Sequence, residues 1–243
     1  MVTATRAWAL EQNDRRLAFA AGTGTTMFAD TGPFAVTRHR HPAWKVVLPV
    51  GGDVTVATGG GRPLVAPGIV VPPQLAHACA AASPYVTLFV DAWLLPSGVG
   101  LRRLEAAEVR RLLAALGATG VDDTTVAPDL AAARAELMTL TGGGGHLDPR
   151  VLHALRTCPH REDLSQIAGD VGLSPARLRA LVRASVGIPL ARLRRWARLK
   201  AAVATLAHAS VADAAATAGF ADQAHLTRTA RDLIGRTPRS LRP

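Results

Sequence analysis

Residues 163–202, DLSQIAGDVGLSPARLRALVRASVGIPLARLRRWARLKAA, decide the architecture of the C-terminal half. Asp163 is a helix cap, and the short run that follows to Val171 stops at Gly172, a residue free to take positive φ. Ser174 caps a second helix with Pro175 at its first position, where a missing N–H is tolerated. That helix runs to about Val186 and ends at Gly187, and Pro189 opens a long helix through Leu206. Residues 210–242, SVADAAATAGFADQAHLTRTARDLIGRTPRSLR, repeat the arrangement. Ser210 with Asp213 resembles a capping box, the helix stops at Gly219, Asp222 caps the next one through Ile234, and Gly235 ends it. A short helix, a glycine turn and a capped second helix therefore occur twice.

Such a unit is a helix-turn-helix: the first helix braces the second so that its N-terminal residues can enter a major groove. Ala168 and Ala215 are small enough for close helix packing. The outward positions of the second helices are Arg177, Arg179 and Arg183 in the first unit and Gln223, His225 and Arg228 in the second. Leu173, Leu178, Leu181, Val203, Leu206, Phe220, Leu226 and Leu233 read as core. An arginine on a helix face can equally be a solvated one.

Over about its last ninety residues the chain resembles the DNA-binding domain of the AraC/XylS family of transcription regulators. The most specific match is AGFADQAHLTRTARDLIGRTP, with Gly-Phe after the turn and a closing Gly-x-x-Pro. The resemblance implies two second helices in successive major grooves of double-stranded DNA, spaced by the long middle helix. The implied groove-facing positions are Ala176, Arg179 and Ala180, then Ala224, His225 and Arg228. Arg179 and Arg228 could read guanine, whereas an alanine offers only methyl contact to thymine. Arg194, Arg195 and Arg198 on the middle helix suit phosphate contact or solvation. An activator of this family would also touch RNA polymerase.

Charge agrees with a polyanionic partner. The formal net charge is +10, yet residues 1–148 hold 12 basic and 12 acidic side chains. Residues 149–243 hold 16 basic against 6 acidic, so the whole excess lies in the helical half. Lys45 and Lys200 are the only lysines. Arginine favours bidentate contact with phosphate or guanine, although a GC-rich genome would also enrich it. Cys79 and Cys158 suit neither a metal spacing nor a disulfide framework, which fits a reducing compartment. With no signal-peptide pattern and no long apolar run, the expected localisation is cytoplasmic, without a membrane partner.

The first half reads differently. From about Phe34 to Trp93, Ala35–Arg38, Lys45–Leu48, Asp53–Ala57, Gly68–Val71 and Val86–Val90 are strand-like stretches between Gly and Pro turns, a sandwich or small barrel. Leu101, Leu104, Val109, Leu112, Leu113 and Leu116 then recur at helical spacing, and Asp129 caps a helix towards Thr141. The run Gly142–Gly145 reads as a flexible linker. The expected fold class is α+β. A sensor domain spans 1–141, with helices over 101–141, the linker 142–147, and an all-α DNA-binding domain 148–243. Residues 34–54, FAVTRHRHPAWKVVLPVGGDV, and 64–79, LVAPGIVVPPQLAHAC, resemble the cupin β-barrel that many AraC-type regulators carry as a sensor.

That resemblance sets His39, His41 and His77 at the cupin histidine positions, where three imidazoles could hold Zn or Fe. The usual glutamate is missing and Lys45 stands where it is expected, so no metal cofactor is favoured. The favoured reading is a small-molecule effector lined by some of His39, His41, Trp44, Lys45 and His77, polar or anionic to suit Lys45. Local hydrogen bonding alone is the other reading of the histidines. Family members commonly form homodimers through the helices after the barrel. Leu104, Leu112 and Leu116 could supply that seam or pack on the barrel. A metal-dependent cupin enzyme with a basic appendage is the alternative from another class, and it leaves the paired helical units unexplained. Non-specific nucleoid binding is a third.

Overall fold

The structure, a computed structural model, describes residues 6–12, 14–117, 127–144, 147–158 and 163–242. Gly145 and His146 of the expected linker lie outside the described residues. The chain opens with β1 (Arg6–Gln12), β2 (Arg15–Gly22), β3 (Thr25–Asp30), β4 (Phe34–His39), β5 (Ala43–Pro49) and β6 (Val54–Ala57). β7 (Leu64–Ala66), β8 (Gly68–Val71), β9 (His77–Ala81), β10 (Tyr85–Asp91) and β11 (Arg102–Leu104) follow. Strands β1-β2-β3-β10-β5-β8-β11 form one sheet in that order, and β4-β9-β6-β7 form a second. The fold class is α+β, and its sheets remain an open sandwich rather than the closed barrel expected from the cupin resemblance. The edge at β1 is capped instead by the helical half, where Trp8 Nε1 donates to Val203 O at 3.0 Å, which blunts an edge without ring closure.

Two layers of core flank the larger sheet. One face, with Phe19, Phe28, Val47 and Ile69, packs on the smaller sheet and on the C-terminal helices. The other, with Trp44, Val46, Leu48 and Leu88, is covered by α1 (Ala106–Ala115) and α2 (Leu130–Thr141). Because side chains alternate along a strand, Trp44 and Lys45 point to opposite sides of the sheet.

Helix α1 begins later than the leucine spacing predicts. Leu101 is exposed, and Arg102–Leu104 pair with β8 in the register Leu104↔Gly68. A two-position match at 101 and 104 does not distinguish a helix turn from a strand, and the free edge of β8 selects the strand. Arg102 is held there by Glu108 and by the carbonyl of Leu140. Leu104, Leu112 and Leu116 all pack against the sheet. Burying each contributes about 1.5–3 kcal/mol, and the structure places these three side chains inside the chain, the second of the two uses left open by the sequence. The glycine run is also packed at one point: Gly144 N donates to Leu94 O at 3.1 Å, and a Cβ there would lie 2.7 Å from that carbonyl.

The helical half comprises α3 (Pro149–Thr157), α4 (Leu164–Asp170), α5 (Pro175–Val186), α6 (Leu190–Thr205), α7 (Val211–Thr217) and α8 (Gln223–Ile234). The capping residues act as expected. Asp163, Ser174, Ser210 and Asp222 accept from the backbone N–H of Ser165, Arg177, Asp213 and His225. Gly172 and Gly219 take φ of +66° and +72° in the turns. Helices α3–α5 and the start of α6 enclose a core of Val151, Leu155, Ile167, Leu178, Val182, Leu190 and Leu193. Residues of α6–α8 share one continuous core with the sheets.

Candidate functional site

Three groupings of residues carry chemistry, and the first is the outer face of α5 and α8. Ala176, Arg177, Arg179, Ala180 and Arg183 are exposed on α5, as are Gln223, Ala224 and Arg228 on α8. His225 is half-buried, its ring edge-on to Phe220 at 5.2 Å. Leu178 and Val182, or Leu226, Ala230 and Leu233, anchor the opposite face of each helix. Both helices begin with capped N-termini, whose positive dipole end favours an anion. Among the middle-helix arginines, Arg195 is exposed, while Arg198 Nη1 donates to Gly219 O at 3.3 Å and braces the second turn.

The second grouping is a cleft between the larger sheet and α6, with about 600 Å³ of empty space, part of it open to solvent. Its walls are mainly aromatic and aliphatic, from Phe19, Phe28 and Phe34 on the strands to Trp196 and Leu199 on α6. Lys45 and Arg236 also line it. Arg236 is engaged, donating to Tyr85 Oη at 2.7 Å and lying 3.6 Å from Asp30 Oδ2. Lys45 is buried and has no carboxylate partner among the described residues. Burial pushes its pKa down, and Arg236 adds to that. Sequence reasoning missed the phenylalanines, Trp196 and Arg236, because the wall is assembled from strands and helices more than 150 residues apart. Trp44 leaves the expected set: it is on the far face of β5, with its indole N–H bonded to Ala92 O at 3.1 Å.

The third grouping is His39, His41 and His77, all buried, each with a ring nitrogen within 4.8 Å of the others. In every ring Nδ1 meets a backbone carbonyl: Thr37 O at 2.7 Å, Ala43 O at 2.6 Å and Leu75 O at 2.9 Å. Each Nδ1 is therefore the donor, and each Nε2 is left with a free lone pair and no partner. Burial lowers the pKa of all three, with Lys45 contributing: His39 to about 3, His77 to about 4, and His41 well below its ordinary value. The rings are neutral at pH 7. These are residues that could hold a metal ion, and three buried, orphaned, same-sense lone pairs fit one.

Residues 167–243 match the family model described as a helix-turn-helix domain. No curated protein sequence matches the chain. The whole fold is similar to ToxT from Vibrio cholerae. With a bound unsaturated fatty acid, ToxT is 9% identical and the match covers 99% of this chain and 96% of that one, with a TM-score of 0.57. Bound to (E)-4-(8-methylnaphthalen-1-yl)but-3-enoic acid it is again 9% identical, covering 89% and 97%, with a TM-score of 0.53. A regulator with an AraC-type DNA-binding domain from Chromobacterium violaceum is 24% identical over 39% of this chain and 89% of that one, at a TM-score of 0.36. At 9% identity the likeness to ToxT shows the fold alone.

Proposed function

We propose that this chain, whose C-terminal part is a helix-turn-helix domain of AraC type, is a sequence-specific DNA-binding transcription regulator of the cytoplasm, controlled by a small amphipathic anion in the cleft against α6. The observation that carries the first half is the duplicated unit with its outward residues exposed: Arg177, Arg179 and Arg183 on α5, Gln223 and Arg228 on α8. Both faces follow a capped N-terminus, whose positive dipole end favours a polyanion. Selection of duplexes from a random pool tests it. Selected sites should bind about 10³-fold or more above bulk DNA, and equal affinity for all duplexes would leave only a non-specific binder.

The cleft supports the second half. An apolar wall with a buried lysine that has no carboxylate partner among the described residues fits a molecule with a hydrocarbon body and one negative charge. Both ToxT ligands named above are amphipathic carboxylic acids, bound by a protein of the same fold. An anion there would touch the sheet and α6 together, and so bias how the DNA-binding units sit. Quenching of tryptophan fluorescence by a long-chain unsaturated carboxylate should saturate, and Lys45→Met should weaken it by about tenfold or more, as expected for a charge-assisted hydrogen bond of about 1.5–3 kcal/mol. Unchanged affinity in that variant would remove Lys45 from the site.

A further inference from the structure

We propose that Lys45 is a covalent anchor, condensing reversibly with an apolar aldehyde in the cleft against α6 to form an imine. This role rests on the cleft being a ligand site, and it extends the chemistry there from charge pairing to bond formation. The chain has two lysines, Lys45 and Lys200, and both line the cleft. Each Nζ lies near an aromatic ring, Phe34 at 6.0 Å for Lys45 and Trp196 at 5.9 Å for Lys200. They differ in counter-charge. Lys200 Nζ is 3.4 Å from Asp91 Oδ1, whereas no carboxylate among the described residues faces Lys45. Lys45 is also fixed in the middle of β5, opposite Phe89 of β10 and Val71 of β8, so its stem stays inside the sandwich.

A lysine desolvated in an apolar pocket beside a second cation is a recurrent way of exposing the amine lone pair as a nucleophile. Arg236 is that second cation, held on the cleft wall by Tyr85 Oη at 2.7 Å and by Asp30 Oδ2 at 3.6 Å. Burial and Arg236 both push the Lys45 ammonium towards the free amine, and only Cys79 opposes them. Burial pushes the Cys79 thiol up in turn, which keeps it protonated. His39, His41 and His77, also within electrostatic reach of Lys45, are neutral. In the reaction the Nζ lone pair attacks the carbonyl carbon, the C–N bond forms, and the π pair of the C=O bond moves to oxygen. Both amine hydrogens then leave with that oxygen as water, and a C=N bond remains, with nothing oxidised or reduced. Water departs through the part of the cleft open to solvent, while Phe19, Phe28, Trp196 and Leu199 enclose the hydrocarbon body. A carboxylate of the same body pairs with the ammonium instead, so the two ligands compete for one side chain.

The test incubates the full chain with decanal and cyanoborohydride, which reduces an imine to a stable secondary amine, and reads intact mass and peptide maps. Exposure alone would favour Lys200, the less buried of the two lysines. The expected result is the reverse: one decyl group on Lys45, well ahead of Lys200 and of the terminal amine, with the preference lost in urea. Lys45→Met should lose that adduct while keeping the circular dichroism of the wild type, and an excess of long-chain unsaturated carboxylate should protect Lys45. No adduct on Lys45 of the folded chain would overturn the proposal, as would equal labelling of the two lysines. Saturable fluorescence quenching by the carboxylate without any aldehyde adduct would overturn the imine and leave the cleft as a ligand site. An adduct on Lys45 with neither quenching nor protection by the carboxylate would uphold the imine and count against the anion alone.

Discussion

Asp30 has no solvent-accessible side-chain surface and several hydrogen-bonding neighbours. It accepts from Arg15 Nε and Nη2 at 2.9 and 2.7 Å, from Gly32 N at 3.0 Å and from Tyr85 Oη at 3.3 Å, with Arg236 3.6 Å away. Arg236 immediately follows Gly235, so this carboxylate ties the tail of the second helical unit to the larger sheet. Asp30→Asn leaves a mostly buried guanidinium without its counter-charge and should cost about 3–5 kcal/mol in urea denaturation. A loss below about 1 kcal/mol would mean that Arg236 finds solvent instead. The three histidines make a separate prediction for chelator-treated protein. Their folded pKa values lie below the unfolded value, so below about pH 6.5 the unfolded chain binds protons that the folded chain refuses. Stability should be flat above about pH 6.5 and fall as the pH drops towards 4 and then 3. A midpoint unchanged between pH 7 and 5 would show that the rings protonate without unfolding.

Among the elements, helices announced themselves and half of the strands did not. Capping is local chemistry, so Asp163, Ser174, Ser210 and Asp222 could be placed from their immediate neighbours, and the hydrogen bonds agree. Strands β1 and β2 went unread because RAWALEQ and RRLAFAAG are rich in Ala and Leu, which carry no strand preference, and β3 because the three strand-favouring residues of TTMFAD do not alternate with polar ones. Their signal was in the turns, where Asp14 and Gly24 take positive φ. At this scale belongs the prediction for Arg228, exposed on α8. Arg228→Ala should weaken binding to a selected site by about 1–3 kcal/mol and relax one base preference. An equal loss on every duplex would reassign it to phosphate. Asp222→Ala removes the cap of the same helix and should lower stability by about 1 kcal/mol, measured by the midpoint of thermal unfolding.

For the whole molecule the two helical units are not equivalent. The first encloses its own core, with Ala92 and Trp93 packed against it, while Trp196, Leu199, Val203 and Leu233 belong to the core of the sheets. Removing residues 1–147 therefore bares the apolar face of α6 together with the end of α8. The fragment should keep its helices yet melt well below the full chain and bind a hydrophobic dye, with hydrogen exchange fastest in α6–α8. A fragment as stable as the full chain would show that the sheets contribute nothing to the second unit. Contacts across this junction include Lys200 with Asp91 at 3.4 Å and Arg192 with the carbonyl of Arg40 at 2.7 Å, so an occupant of the proposed cleft would bear on α6 directly.

The linear chain by itself determined what depends on near neighbours: the two helix–turn–helix units, their caps and stops, the outward residues of α5 and α8, and the clustering of positive charge. His39, His41, His77 and Lys45 were also visible as a set, through spacing and resemblance. Only the tertiary structure decided that Trp44 faces away from them, that Leu104, Leu112 and Leu116 are used internally, and that Phe28, Trp196 and Arg236 wall one cleft. Capping and periodicity act over a few residues, whereas which face of a strand meets which helix is settled by burial between segments far apart in the chain, and no local pattern encodes that choice.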